Sequence, residues 1–233
     1  MVWLDMALDQ MEAEVEEAVQ RHRTPVKAIV SWLVGHMAGL SLREVSASEF
    51  EGLKRSHNAV WKWIQKFSPE LFEADRGRCP ETVVLDETST NIGGEDVYLH
   101  AAINPESRRI LLVRLYPSRS ILSVWLFMKE FIKRYGRPRL VCTDGGPWYH
   151  HALKVLRLKH QIISGGYRNY IERWFLTLKH RVWRFDKHFP CRCGHGAHTH
   201  IQNWFNLYIY YYNNIRIHRT LKMPPALFEK GLS

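Results

Sequence analysis

The amino-acid sequence predicts an α/β protein in which a mixed five-stranded sheet with flanking helices follows a smaller helical module. Three observations predict this class: apolar residues recur at helical spacing up to residue 68, β-branched runs begin at Thr82, and later runs alternate with helical segments. With 233 residues, 45% of them hydrophobic and 12% aromatic, the chain can bury the core of one substantial domain and a small module.

The first 24 residues predict an amphipathic helix, because apolar side chains recur at helical spacing between acidic ones. This face fits the core or a partner contact. Thr24-Pro25 restarts the chain, since proline favours the first position of a helix, and Gly39 ends the second helix.

Two further short helices complete the N-terminal module. Ser41 and Glu44 have the spacing of a capping box, and another helix follows Ser56 with Lys62 and Lys66 on its polar side. Two short helices joined by a tight connection, the second one basic, are typical of a DNA-reading helix-turn-helix. A small helical bundle without a DNA role would have the same pattern, so both interpretations stay open.

Turn formers and charges in residues 69–80 predict a linker after the module at residues 25–68. From residue 81 the pattern changes to strands, and we assign residues 81–230 to one domain. The first three strands form a meander, and the later elements alternate between helix and strand. The predicted strands are 82–85, 97–103, 110–116, 140–143 and 161–164, and the predicted helices are 121–134, 149–156 and 170–185. The order βββαβαβα is that of a ribonuclease-H-like domain.

Three acids stand at special places in this order. We expect Asp86 and Asp144 to end the first and fourth strands, which are neighbours in this topology, and Glu172 to open the last helix. Clustered carboxylates repel unless cations lie between them, so the set predicts two hard ions, Mg²⁺ or Mn²⁺. Two such ions serve phosphoryl transfer.

Each acid alone has a structural explanation, as a turn residue or as a first-turn helix acid. Their joint placement favours the metal site. Glu87 is expected to face the opposite side of its strand from Asp86, and Glu95-Asp96 to lie in a hairpin turn, so these acids are interpreted as structural.

The net charge of +10 is concentrated near the C-terminus, where residues 165–233 contain eleven Lys and Arg against three Asp and Glu. Together with its Trp, Tyr and His residues, this third fits phosphate neutralisation and base stacking. The alternative is a solvated face that keeps the protein soluble.

Cysteine and histidine crowd an insert at residues 190–200. Its Cys191, Cys193, His195, His198 and His200 have the ligand types of a structural Zn²⁺ site, although the C-x-C spacing is unusual. The alternative is a Gly- and His-rich loop near DNA. The four cysteines are too sparse for a disulfide scaffold, and the sequence lacks an export signal and an apolar run of ~18 residues. We expect a soluble, intracellular protein with no membrane contact.

Several motifs together resemble the DDE transposases of bacterial and archaeal insertion sequences, whose catalytic core is related to that of retroviral integrases. The resemblance covers roughly residues 25–230. The matching pieces are Gly-Leu-Ser-Leu-Arg-Glu-Val at 39–45, Leu-Asp-Glu-Thr at 85–88, Thr-Asp-Gly at 143–145, Asn-Tyr-Ile-Glu-Arg-Trp at 169–174, Tyr-Asn-Asn-Ile-Arg-Ile-His-Arg-Thr-Leu at 212–221 and Pro-Pro-Ala at 224–226. They are specific in combination.

The resemblance implies 3′-end cleavage at transposon ends and strand transfer into target DNA, with Asp86, Asp144 and Glu172 as catalytic metal ligands. It also implies double-stranded DNA as partner, a homodimer or higher assembly, and a place at the nucleoid in prokaryotic cytoplasm. Lys179 lies two helical turns after Glu172 and shares its face. The candidate DNA-binding residues are Lys62, Lys66, Arg173, Lys179, Arg181, Arg216 and His218.

Only 27 residues separate Asp144 from Glu172, which is short for this family. Two alternatives stand beside an active transposase. One is another ribonuclease-H-like nuclease, and the other is an inactive or repurposed DNA-binding relative.

Overall fold

A computed structural model of the chain describes residues 2–18, 23–92, 95–186 and 196–231. The helices are α1 (Val2–Glu17), α2 (Val26–Ala38), α3 (Leu42–Ala47), α4 (His57–Ala74), α5 (Ile121–Tyr135), α6 (Pro147–Val155), α7 (Arg168–Asp186), α8 (Ala197–Asn214) and α9 (Pro225–Gly231). The strands are β1 (Thr82–Ile92), β2 (Glu95–Ile103), β3 (Ile110–Tyr116), β4 (Leu140–Thr143) and β5 (His160–Ile162).

The sheet has the predicted mixed topology, with the strand order β3-β2-β1-β4-β5. β1 pairs antiparallel with β2 and parallel with β4, and β4 pairs parallel with β5. The ribonuclease-H-like fold predicted from the order of elements is confirmed. Because Val84 of β1 pairs in parallel with Cys142 of β4, Asp86 and Asp144, each two residues further on, lie at the same level of the sheet.

Strand β1 is longer than the sequence predicted. Its ladder with β2 continues from the apolar residues through Thr88 to the pair of Ile92 with Glu95. Asp86 therefore lies inside the strand, opposite Ala101, and the expectation that it ends the strand is wrong. The polar half of β1 lacks the apolar pattern by which a strand is recognised in a sequence. It pairs with β2, and its threonines favour extended backbone.

By its internal contacts the chain divides into two compact units, and each is described separately. The helical unit contains residues 1–75 and 199–227, and the sheet unit contains residues 76–198 and 228–233. The assignment of residues 81–230 to one domain stays a prediction. The contacts nevertheless group α8 with the N-terminal helices.

The N-terminal helices and α8 share a buried polar pair. The Nδ1 of His36 lies 2.8 Å from the Leu40 carbonyl oxygen, to which it donates, so its Nε2 can accept the indole N–H of Trp204 at 3.2 Å. Both rings are almost fully buried. A neutral His36 thus satisfies the end of α2 and the α8 tryptophan together.

Helix α4 passes through Pro69 and ends at Ala74, so residues 69–74 are helical where the sequence predicted a linker. Proline cannot donate to the carbonyl of Gln65, four residues earlier. In the folded chain the side-chain amide of Asn203 donates to that oxygen at 3.3 Å. A contact from α8 therefore replaces the helical hydrogen bond that proline removes.

The N-terminal module also differs from the expected tight pair of helices. The Ser41–Glu44 capping box is confirmed, but residues 48–56 separate α3 from α4 and contain a bridge between Phe50 and Leu53. Lys62 and Lys66 lie exposed on α4. Among the described helices, none combines the length and apolarity needed to cross a membrane.

Candidate active site

Asp86 is a buried acid on the central strand. Its side chain has 7% exposure, and its Oδ1 accepts the backbone N–H of Glu87 at 2.9 Å. Burial raises the pKa of Asp86 to about 7, and the negative charges of Glu87 and Asp144 act in the same direction. The positive charge of Arg168 opposes that rise. Asp86 is therefore a carboxyl whose charged form needs a cation.

Asp144 follows β4 in a turn that its neighbours fix. Its Oδ1 accepts the N–H of Gly146 at 3.0 Å, and the Thr143 hydroxyl accepts the N–H of Gly145 at 3.2 Å. Gly145 has φ +88°, and a Cβ there would come 3.0 Å from a methyl carbon of Ile162 on β5. Glycine is required because the backbone is left-handed and β5 approaches it closely.

A hydrogen bond from β5 completes this turn. The Thr143 hydroxyl lies 2.8 Å from Nε2 of His160, which pairs with β4 in the parallel register. Burial lowers the pKa of His160, which favours its neutral form. Asp144 thus projects from a turn braced by two strands.

Glu172 lies on α7 and reaches the other acids through Arg168. Its Oε1 is 3.0 Å from Nε of Arg168, one helical turn earlier, and Nη2 of the same guanidinium is 3.7 Å from Oδ2 of Asp144. Glu172 is 45% exposed, in contrast to the buried Asp86. The structure brings all three predicted acids into the surroundings of one basic side chain.

Glu87 is a further acid near this group that the sequence did not assign to the site. Its side chain is 5% exposed, accepts a hydrogen bond from the Tyr149 hydroxyl of α6, and lies 3.9 Å from Nη1 of Arg119. Burial and the charge of Asp144 raise the pKa of Glu87, while Tyr149 and Arg119 counter part of that effect. Glu87 contacts α6, as expected for a structural acid. Its negative charge nevertheless raises the pKa of Asp86, and the charge of Asp144 raises the pKa of Glu87.

The guanidinium of Arg119 lies over the ring of Trp148, 4.9 Å from its centroid. Such a contact holds the cation near Glu87 at modest energy. The side of the site near α6 is thereby packed by Arg119, Trp148 and Tyr149.

The chemistry of the acids fits hard divalent ions, because carboxylate oxygens are the ligands that Mg²⁺ and Mn²⁺ prefer. Within the described ranges, no three His, Cys, Asp or Glu side chains are already spaced to hold one ion. What Asp144 and Glu172 share is a cationic neighbour, Arg168, whose charge also reaches Asp86. The positive charge of Arg168 thus lies beside Asp144 and Glu172 and within electrostatic reach of Asp86.

The candidate DNA-binding residues fall into two groups. Arg173 and Lys179 are exposed on α7, whose opposite face is buried through Ile171 and Trp174. Lys179 follows Glu172 by two helical turns, so both lie along one side of the helix. For Arg181 the backbone is helical and its side chain lies outside the described part of the structure.

The remaining candidates belong to the helical unit. Arg216 lies over the ring of Tyr212, 5.5 Å from its centroid, and the Nδ1 of His218 accepts the backbone N–H of Thr220 at 3.3 Å. His218 therefore organises the turn after α8, which is a structural task. Lys62 and Lys66 extend from α4 in the same unit.

The predicted zinc ligands Cys191, Cys193 and His195 lie outside the described residues. His198 is exposed at the start of α8, and the ring of His200 makes an edge contact with Trp61 at 5.9 Å. The zinc site stays a prediction.

Comparisons with known proteins identify the family of the chain. A family model described as a DDE domain matches residues 81–189, which contain Asp86, Asp144 and Glu172. A Staphylococcus aureus transposase for insertion sequence-like element IS431mec is 30% identical over 178 residues, covering 71% of this chain and 79% of that protein. The uncharacterized protein MJ0017 of Methanocaldococcus jannaschii is 29% identical over 199 residues, covering 84% of this chain and 90% of the relative.

Solved structures share the fold. The HTLV-2 integrase catalytic core domain in complex with magnesium, in its dimeric form, has a TM-score of 0.51 at 16% identity, covering 66% of this chain and 99% of that core. A chain of the simian T-cell lymphotropic virus intasome has a TM-score of 0.54 at 17% identity. That match covers 66% of this chain and 56% of the intasome chain.

The fold and the matched domain define the class, an integrase-like polynucleotidyl transferase or endonuclease. Within that class, the chain belongs to the DDE transposases of insertion sequences. The resemblance read from the sequence motifs is confirmed.

Sequence reasoning missed Arg168 and the buried position of Glu87. The spacing of Arg168 and Glu172, four residues apart on one helix, was a usable signal for an ion pair. The contact of Arg168 with Asp144 had no local signal, because it joins residues from two different elements.

Proposed function

We propose that this transposase binds transposon ends and catalyses metal-dependent 3′-end cleavage followed by strand transfer into target DNA. The observation that supports this most is the shared guanidinium of Arg168, which pairs with Asp144 and Glu172 and acts on Asp86. Carboxylates from a strand, a turn and a helix have no folding need to gather around one cation. A reaction centre for phosphodiester chemistry does need such a group.

Asp86, Asp144 and Glu172 would hold the ions in this proposal, as Mg²⁺ or Mn²⁺. When bound, two such ions supply activation of a water or 3′-hydroxyl nucleophile and stabilisation of the leaving oxygen. Asp86 offers oxygens from a position fixed by β1, and Asp144 offers its oxygens from the braced turn after β4. Glu172 offers its oxygens from a helix surface where the side chain is partly exposed.

Basic residues on α7 would hold the DNA beside these acids. Lys179 and Arg173 are exposed and so are free to contact phosphates, which fix the duplex without reading its sequence. Sequence reading would fall to α4 of the helical unit, where Lys62 lies exposed. We further propose that the protein acts as a homodimer or higher assembly, because two DNA ends have to be joined in one reaction.

The test is a strand-transfer assay on the element's own end sequences, with Mg²⁺ or with EDTA. The wild-type protein should join end to target only with Mg²⁺. Asp144→Asn should remove joining while binding of the end DNA, measured by gel shift in EDTA, stays unchanged.

Two outcomes would redirect the proposal. Cleaved ends without joined products would indicate a nuclease of the same fold. Tight end binding without any cleavage, in Mg²⁺ and in Mn²⁺, would indicate a DNA-binding relative that has lost catalysis.

A further inference from the structure

Arg168 occupies a position that the roles of the three acids do not explain. It is the first residue of α7, and its side chain is 30% exposed. Its Nε lies 3.0 Å from Oε1 of Glu172, and its Nη2 lies 3.7 Å from Oδ2 of Asp144. A single planar guanidinium therefore contacts two of the acids at once, with two different nitrogen atoms.

The contacts of Arg168 matter because acidic side chains outnumber basic ones around the site. Four acids, Asp86, Glu87, Asp144 and Glu172, lie in or beside the site. Arg119 forms an ion pair with Glu87 and lies over the Trp148 ring. Within the described part of the chain, Asp144 and Glu172 both form their ion pairs with Arg168.

A simple helix-surface pair would give a different pattern. Arginine and glutamate four residues apart on a helix commonly form a weak ion pair, and this pair would need no partner beyond α7. Arg168 also reaches Asp144, which follows β4. The guanidinium thus ties the acid of the helix to an acid of the sheet edge.

We propose that Arg168 is a positioning residue that draws Glu172 towards Asp144 and contends with divalent ions for the same carboxylate oxygens. This inference rests on the proposed function, because it assumes that these acids bind ions. A divalent ion that takes those oxygens has to break both ion pairs of Arg168. The guanidinium that remains close by also repels the ion. Arg168 accordingly lowers the affinity of the site for metal while it keeps the acids together.

The test is a calorimetric titration of the full-length protein with Mn²⁺ alone, at constant pH. Arg168→Gln removes the competing charge, and its dissociation constant should fall by about fivefold from that of the wild type. Arg168→Lys keeps the positive charge but cannot contact the two acids with separate nitrogen atoms. Its dissociation constant should lie between those of the wild type and of Arg168→Gln.

Arg139→Gln is the matched control. Arg139 also pairs with a carboxylate, Glu81, at 3.7 Å, but it lies just before β4, at the opposite end of the strand from Asp144. The control should bind Mn²⁺ like the wild type. A difference between the two glutamine variants therefore reports the position of the charge and not the loss of net charge.

A second measurement does not involve metal. In EDTA, Arg168→Gln should melt about 2–4 °C below the wild type, because Asp144 and Glu172 both lose their ion-pair partner, whereas Arg139→Gln should melt within about one degree. Circular dichroism of both variants at 20 °C verifies that each is folded.

Mn²⁺ affinity of Arg168→Gln equal to or weaker than that of the wild type would overturn the inference, and so would an unchanged melting temperature in EDTA. These results can be distinguished from results that would contradict the proposed function. If the wild type binds no Mn²⁺, or if Asp144→Asn binds it equally well, the metal role of the acids is itself wrong.

Discussion

Asp86 and Glu172 belong to the same candidate site, but different structural features hold their side chains in place. Asp86 lies inside a paired strand, is almost completely buried, and has its pKa raised to about 7 by that burial. Glu172 lies on a helix surface with nearly half of its side chain exposed. The backbone of β1 fixes the first acid, and another side chain, Arg168, guides the second.

This difference teaches how the site divides two tasks. A buried acid provides a fixed oxygen but costs folding free energy, because its charged form is poorly solvated. An exposed acid costs little and can adjust, but its position depends on its partners. We expect substitutions at the two acids to separate in stability even where they agree in activity.

The largest effect is expected for Glu172→Gln. Loss of the helix carboxylate should reduce strand transfer by roughly 10³-fold, since an uncharged amide is a poor ligand for a divalent ion. The unfolding free energy should change by less than about 0.5 kcal/mol because the side chain is exposed. Single-turnover strand transfer and urea unfolding measure the two quantities. Activity within severalfold of wild type would remove Glu172 from the site.

The next effect concerns stability at Asp86. The carboxyl has a pKa of about 7 in the folded protein and 3.8 as its ordinary value, so ionisation of the unfolded chain disfavours folding as pH rises from about 4 to 7. Asp86→Asn cannot ionise. In EDTA it should be more stable than wild type by roughly 4 kcal/mol at pH 8, and nearly equally stable near pH 4.

Urea unfolding of both proteins at pH 4, 6 and 8 measures this divergence. A constant difference across the three pH values would show that the Asp86 carboxyl is not held in its neutral form. The same variant should lose strand transfer, so stability and activity would move in opposite directions.

Gly145→Ala should have a smaller effect, on the turn that carries Asp144. The added Cβ would meet Ile162 in a backbone conformation that only glycine adopts readily. We expect a loss of about 1–2 kcal/mol in stability and a clear drop in strand transfer. Gly165→Ala is the control, since a Cβ at Gly165 meets nothing within 4 Å. Equal effects at both glycines would contradict the bracing of the turn.

The smallest effect is expected for Lys179→Gln, on the helix side of the comparison. An exposed phosphate contact adds affinity for all DNA sequences alike, so its loss should weaken binding severalfold and reduce the slope of log affinity against log salt by about one. Filter binding at four salt concentrations measures the slope. An unchanged slope would place Lys179 away from the DNA.

The sequence predicted the sheet well because strand order follows from local patterns and from the rule that connects parallel strands through helices. It located three acids but misplaced Asp86, since the polar half of β1 is held by β2 and not by its own propensity. Two other features depended on distant partners. The helix at Pro69 relies on Asn203, and the role of Arg168 relies on Asp144.

The helical unit draws its chain from two stretches, residues 1–75 and 199–227. During synthesis, His36 leaves the ribosome long before Trp204, its hydrogen-bond partner, has been made. At about 5–20 residues per second, the wait across residues 76–198 is on the order of ten seconds. The nascent chain exposes apolar helix surface throughout that interval, so we expect the newborn protein to depend on chaperones more than its size alone would suggest.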